Sequence, residues 1–149
     1  MEKNIEYTYI MIKPDGVEKN VLNDVIKRFE KVGLEVSNIK EMHLNEKILR
    51  EHYAHVADRD FYPEMEKQMM SGPVIAMIVR GIDAVSKTRE LMGPTKNAEP
   101  GTIRGDYGDK LISHKNVIHG SDSVENAKIE IARFYDGLVI DSKNFLLKK

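Results

Sequence analysis

The chain switches repeatedly between the two-residue period of a strand and the longer period of a helix. Tyr7-Thr8-Tyr9-Ile10-Met11-Ile12 is rich in aromatic and β-branched residues and predicts a first strand. Lys13-Pro14-Asp15-Gly16 ends it with a turn signal. Val21, Leu22, Val25, Ile26 and Phe29 then recur at helical spacing, with Gly33 as the stop. Leu34 to Leu44 reads as a second strand, and Asn45 caps a short helix carrying Ile48, Leu49, His52, Tyr53 and Val56 on one side. A second short helix covers Pro63 to Met70, where Met65, Met69 and Met70 read as packing residues. After Gly72-Pro73, Val74 to Val79 predicts a third, central strand, and Asp83 caps a helix that stops at Gly93-Pro94. Thr95 to Lys115 has no sustained period and predicts a long ordered loop. Val117 to His119 forms the last strand. Val124, Ala127, Ile131, Phe134 and Tyr135 mark the inward stripe of the last helix, and an irregular tail follows.

The order β-α-β-(αα)-β-α-β-α predicts an α/β (α+β) fold: a ferredoxin-like, four-stranded antiparallel sheet covered by helices on one face, with the long loop before the last strand. At 149 residues the chain suits a single domain over 1–149. The charged start Met1-Glu2-Lys3-Asn4-Ile5-Glu6 is unlike a signal peptide, and Val74 to Val79, the longest apolar run, is too short to span a bilayer. Both point to a soluble, cytoplasmic protein with no membrane partner. With Lys+Arg at 23 and Asp+Glu at 24, the net charge of −1 gives no broad electrostatic case for nucleic acid. The lack of cysteine excludes disulfides, a thiol nucleophile and cysteine-ligated metal centres.

Candidate chemistry concentrates in Asn116-Val117-Ile118-His119-Gly120-Ser121-Asp122-Ser123. It sets His119 at the end of a β-branched run, where Asp122 and Glu125 read as the N-cap pair of the following helix. A histidine near a helix N-terminus suits a nucleophile that meets phosphate. Glu130, at the margin of the helical stripe, is costly to bury unless paired, and His119 is a natural partner. Taken alone, such a pair is more often a satisfied turn histidine beside a half-exposed glutamate. Lys13, Arg89, Thr95 and Arg104 sit at element ends or in the long loop, and the lysine and two arginines converging near a histidine would neutralise a triphosphate. Spacing alone does not show that they converge. Tyr53 is evenly balanced between core and site, and an exposed Phe61 could stack on a base, although a loop-anchoring phenylalanine is the commoner case. There is no Walker-type or kinase-type glycine loop and no zinc-ligand spacing. His52 and His55 read as a packing or surface pair. Any Mg²⁺ should therefore arrive with bound phosphates.

The motifs Ile10-Met11-Ile12-Lys13-Pro14-Asp15-Gly16-Val17, Glu51-His52-Tyr53, Asp58-Arg59, Ser71-Gly72-Pro73-Val74, Pro100-Gly101-Thr102-Ile103-Arg104-Gly105-Asp106 and Asn116 to Ser123 follow one another in an order that closely resembles the nucleoside diphosphate kinases. They cover nearly the whole chain. The resemblance implies reversible, ping-pong transfer of the γ-phosphoryl of a nucleoside triphosphate to a nucleoside diphosphate through a phosphohistidine at His119. It implies that Glu130 orients the ring, Ser121 supports Glu130 and Tyr53 sits beside the histidine. Lys13 and Asn116 would contact the ribose, Lys13 also the transferred phosphoryl, and Arg89, Thr95 and Arg104 the phosphates bridged by Mg²⁺. Phe61 would stack on the base with Met65 nearby, giving broad base specificity. The family also implies a homo-oligomer, with a hexamer favoured and a tetramer as the alternative. Thr95 to Arg104 looks shorter than the family pattern and Arg104 to Asn116 longer, which leaves Thr95 and Asn116 in place. A nucleotide-responsive module without turnover and direct nucleic-acid binding are the competing readings, and the second lacks a basic stripe.

Overall fold

The computed structural model describes residues 5–111, 115–140 and 146–147. Strand β1 (Ile5–Ile12) is followed by α1 (Pro14–Glu18), α2 (Leu22–Lys31) and β2 (Glu35–Met42). Next come α3 (Glu46–His52), α4 (Tyr62–Met69), β3 (Val74–Ile82) and α5 (Ala84–Met92). The chain continues through α6 (Ile103–Tyr107), β4 (Ile118–Gly120), α7 (Val124–Phe134), β5 (Val139–Ile140) and β6 (Leu146–Leu147). The first four strands form one sheet in the order β2-β3-β1-β4 with every neighbouring pair antiparallel, which is the ferredoxin-like arrangement. Among the described residues no helix is long and apolar enough to cross a membrane.

Helices cover both faces of this sheet, and the expectation of a single covered face is corrected. Strands β1 and β3 are near-continuous apolar runs, so the side chains they send to either side both need burial. On one face Tyr9, Met11, Ala76 and Ile78 pack with Leu49, Met65, Met69, Ile131 and Phe134 from α3, α4 and α7. On the other, Ile10, Ile12, Met77 and Val79 pack with Val25, Phe29, Ala84, Met92 and Ile103 from α2, α5 and α6.

Several local expectations are also revised. The Lys13–Gly16 turn is the first turn of α1, which tolerates Pro14 at its start because that N–H needs no helical partner. The 95–115 segment holds a helix, α6, capped by Thr102 Oγ1, which accepts from Gly105 N at 3.0 Å. Five residues are too few for a periodic signal. Asp83 stands before α5 with φ 53° and makes no side-chain cap; Glu6 reaches over from β1 to accept from Val85 N at 3.1 Å. Ser123, not Asp122, caps α7 by accepting from Asn126 N at 3.0 Å, while Asp122 binds the Asn126 side chain. The last sheet strand begins at Ile118 because Val117 turns the chain at φ 64°. The inward stripe of α7 is Ala127, Ile131 and Phe134; Val124 is exposed. Helix α4 begins at Tyr62, one residue before Pro63. In the tail, β5 pairs antiparallel with β6; residues 141–145 and 148–149 lie outside the described residues.

Gly105 sets how closely α6 approaches the loop before it, since an added Cβ would lie 1.9 Å from the Glu99 carbonyl oxygen. We expect Gly105→Ala to cost at least about 2 kcal/mol in a denaturant melt, because backbone must move. At Gly72 the nearest atom to an added Cβ is Pro14 Cβ at 3.8 Å, and Gly72→Ala should leave the midpoint nearly unchanged.

Candidate active site

Strand β4 is only three residues long, and its pairing with β1 sets His119 opposite Met11 at the sheet edge. Helix α7 crosses beside it and presents Glu130. One oxygen of that carboxylate, Oε1, accepts from His119 Nε2 at 2.8 Å and from Ser121 Oγ at 2.8 Å. A carboxylate can only accept, so Nε2 carries the ring proton and Nδ1 keeps its lone pair. Ser121 is fully buried and also accepts from Tyr9 N at 3.3 Å, which ties the assembly to the central strand. The cleft that holds His119 is lined by Asp122, just ahead of α7, and by Asn126, Glu130 and Arg133 along that helix.

His52 is a member of this group that the sequence reading assigned to packing or surface. Its ring meets His119 edge-on, with centroids 4.6 Å apart, and is buried. Arg133 Nη1 lies 2.9 Å from His52 Nδ1, and because a guanidinium only donates, Nδ1 must accept and Nε2 must carry the hydrogen. Burial first, then the charges of His119 and Arg133, push the His52 pKa down to about 2, so the ring is neutral. His52, His119 and Glu130 bring three donor atoms within 4.8 Å of one another. Yet His52 has no free lone pair and Glu130 already accepts two hydrogen bonds, so the set suits hydrogen bonding better than metal ligation. The signal for His52 was its place on the apolar side of its helix, three residues after Leu49.

The cationic candidates do converge. Lys13 is buried at the end of β1, and its Nζ donates to Asn116 Oδ1 at 2.7 Å. Burial, then the nearby Arg104 charge, lower its pKa to about 8. Arg104, on α6, is pinned by Nη1 to the Gly93 carbonyl at 3.0 Å and by Nη2 to the Ile118 carbonyl at 2.7 Å. Burial and then the Arg89 charge lower its pKa to about 10, so it stays charged at neutral pH. Arg89 Nη1 donates to the Gly120 carbonyl at 3.3 Å. A cleft of about 590 Å³ holds Tyr53, Arg89, His119 and Glu130, and a neighbouring one of about 470 Å³ holds Asn116; Thr95 and Arg104 line both. His52 Nε2, Tyr53 Oη and Arg104 Nε are buried without a hydrogen-bond partner among the described residues. Such atoms are costly to leave unpaired and are suited to meeting a polar ligand. Burial also raises the Tyr53 pKa, so its hydroxyl stays protonated.

Phe61 lines neither cleft and is half exposed at the N-cap of α4. Met65 is a core residue beneath it, with its side chain in the packing of the α3–α4–α7 face. Negative groups near the phosphate-suited cations are few: the cleft around His119 includes Glu51, Asp122 and Glu130. The arrangement unites a histidine of fixed tautomer, a cluster of cations and buried donors, a combination suited to a phosphate anion.

Comparison with known proteins agrees. A family model described as nucleoside diphosphate kinase matches residues 6–139. The nucleoside diphosphate kinase of Wolinella succinogenes is 47% identical over 139 residues, spanning 92% of this chain and 100% of that protein. That of Gallus gallus is 44% identical over 137 residues, spanning 91% and 88%. The crystal structure of the Encephalitozoon cuniculi nucleoside diphosphate kinase aligns with a TM-score of 0.81 at 45% identity, covering 87% of this chain and 88% of that one. The Halobacterium salinarum enzyme, solved in complex with CDP, aligns with a TM-score of 0.82 at 39% identity, covering 98% and 93%.

The buried Lys13 sets a measurable trade between stability and charge. Its ordinary pKa of 10.5 falls to about 8 in the fold, so between these values the unfolded chain binds more protons and stability rises with pH. Below about pH 8 the fold carries the full cost of the buried ammonium. Lys13→Met should therefore melt at a higher temperature than the parent at neutral pH, and thermal melts should show this gain shrinking as pH rises past 8.

Proposed function

The chain belongs to the nucleoside diphosphate kinase family, and from that premise we propose that His119 carries a phosphoryl group between nucleotides in a ping-pong exchange. The enzyme is a phosphotransferase acting on nucleoside di- and triphosphates. In the first half-reaction His119 Nδ1 attacks the γ-phosphorus of a nucleoside triphosphate. The bond to the β–γ bridging oxygen breaks, and the diphosphate leaves with the electron pair. In the second, a terminal oxygen of another nucleoside diphosphate attacks the same phosphorus and the imidazole leaves. Neutral imidazole needs no base to activate it, and its phosphoramidate is reactive enough to pass the group on.

The observation that carries this reading is the shared acceptor: Glu130 Oε1 lies 2.8 Å from both His119 Nε2 and Ser121 Oγ. Glu130 fixes the tautomer that leaves Nδ1 free and offsets the positive charge the ring acquires on phosphorylation. Ser121 holds the carboxylate in place. Lys13, Arg89 and Arg104 balance the charge spread over the transferred group, with Thr95 and the Tyr53 hydroxyl as neutral donors to phosphate. Lys13 and Asn116, joined at 2.7 Å, would reach the ribose hydroxyls. Lys13, Arg89 and Arg104 would hold the phosphates, and Mg²⁺ would enter on those phosphates as part of the substrate. Phe61, half exposed at the N-cap of α4, would serve as a base platform. A platform without base-edge hydrogen bonds discriminates little, which gives broad base specificity, and the CDP complex of the Halobacterium salinarum relative fits nucleotide use. The family resemblance further supports a homo-oligomer, a hexamer in preference to a tetramer.

The test is a phosphohistidine trap. Incubation with γ-labelled ATP and an alkaline quench should leave alkali-stable, acid-labile label on the parent and none on His119→Ala. Label that persists in that variant would sink the proposal. Phe61→Ala should weaken binding of every nucleoside diphosphate by a similar amount, about 1–3 kcal/mol, in steady-state titrations across bases. A loss confined to one base would contradict the platform role.

A further inference from the structure

Val117, between Asn116 and the strand that bears His119, occupies a backbone conformation that its side chain disfavours. Its φ is 64°, and Ile118 N donates to Asn116 O at 2.8 Å, closing a γ-turn with Val117 at the centre. Positive-φ γ-turns are rare and strained, and a β-branched residue is the least suited to one. The side chain is nevertheless fully buried in the core beside α2 and α5. Strain of this kind persists only where the surroundings over-determine it.

Three residues of the Lys13-Pro14-Asp15-Gly16 turn supply that constraint. The Val117 N–H donates to Asp15 Oδ2 at 3.1 Å, and the Val117 carbonyl accepts from Lys13 N at 2.8 Å. Asp15 is itself braced by Gln68 Nε2, which donates to Oδ1 at 3.2 Å. Gly16 leaves room for the approach, since a Cβ there would lie 2.6 Å from the Val117 carbonyl oxygen. On one side of the turn, Asn116 Oδ1 accepts from Lys13 Nζ. On the other, the Ile118 carbonyl anchors Arg104 at 2.7 Å, and His119 follows directly.

We infer that Asp15 is a positioning residue for phosphoryl transfer: its carboxylate holds the Val117 turn in its strained form and so sets Asn116, Arg104 and His119 relative to one another. Asp15 itself donates and accepts nothing among the groups proposed to bind nucleotide. The inference rests on the reading of His119 as the phosphoryl carrier. Asp15 also raises the Lys13 pKa by its charge, so hydrogen bonding and charge must be separated.

Asp15→Asn keeps an acceptor oxygen and removes the charge, Asp15→Ala removes both, and Val117→Gly removes the backbone strain. Single-turnover labelling by γ-labelled ATP, well below the melting temperature, reads positioning, and a melt run in parallel reads stability. Asp15→Asn should label close to the parental rate. Asp15→Ala should label about ten- to a hundredfold more slowly, the scale on which a displacement of about 1 Å costs catalysis. The double variant Asp15→Ala/Val117→Gly should recover most of that rate while melting lower still, because it loses buried side chain. A purely structural role cannot raise the rate while lowering the melting temperature.

The inference is overturned if Asp15→Ala labels at the parental rate, if Asp15→Asn is as slow as Asp15→Ala, or if Val117→Gly restores nothing. Should Asp15→Ala fail to fold, Asp15→Glu takes its place, keeping the charge but displacing the acceptor: slowed labelling by the folded variant supports the role, and labelling at the parental rate overturns it. Hydrogen exchange at the Val117 amide reads the contact without chemistry: slow in the parent and Asp15→Asn, fast in Asp15→Ala. Parental protein that takes no alkali-stable label while showing a protected Val117 amide would overturn the phosphohistidine reading and leave the contact standing.

Discussion

The site depends on a carboxylate placed where a helix crosses a short edge strand. Glu130 belongs to α7, whose Ala127, Ile131 and Phe134 are committed to the core, so the helix cannot rotate to carry Glu130 into water. Its Oε1 must therefore be satisfied locally, and His119 and Ser121 do so from β4 and the residue after it. The same pairing removes one of the two tautomers open to His119. Packing of an apolar stripe thus decides which ring nitrogen is available for chemistry.

A second ring of constraint surrounds this pair. Tyr9 stacks on Phe134 at 4.6 Å and lies 6.0 Å from His119, while His52 closes the edge and takes its own tautomer from Arg133. Both rings are uncharged, so neither sets a charge against the pair. Across the cleft the charge balance is reversed. Arg104 depresses the basicity of Lys13, Arg89 that of Arg104, and loss of water lowers both, so the cleft gathers like charges that a phosphate would relieve. Arg104 spends two of its donors on the Gly93 and Ile118 carbonyls, which fixes its direction before any ligand arrives.

Much of this was legible in the chain because it is local. The strands from Tyr7 and from Val74, the α2 stripe through Val25 and Phe29, and the Asn45 cap all follow from neighbours a few residues apart; Asn45 Oδ1 does accept from Ile48 N, at 2.9 Å. The pairing of His119 with Glu130 was also within reach, since eleven residues separate them across one strand–helix junction. The caps of α5 and α7 were misread for opposite reasons. Glu6 caps α5 from 79 residues away, and at α7 two adjacent polar residues competed, with Ser123 in the extended conformation an N-cap needs.

By itself the sequence determined the four sheet strands, the main helices, their order and the residue types suited to phosphate, because period, capping and turn chemistry are written between near neighbours. The tertiary structure alone decided which faces of the sheet need cover, since β1 and β3 are buried on both sides only once the helices return. It decided that His52, read with His55 as a packing or surface pair, has its ring centroid 4.6 Å from that of His119. It also decided that Asp15 grips Val117 across 102 residues of chain. Such contacts join positions with no local record of one another, and they exist only where core packing on both faces brings the ends of β1, β4 and α6 to one edge of the sheet.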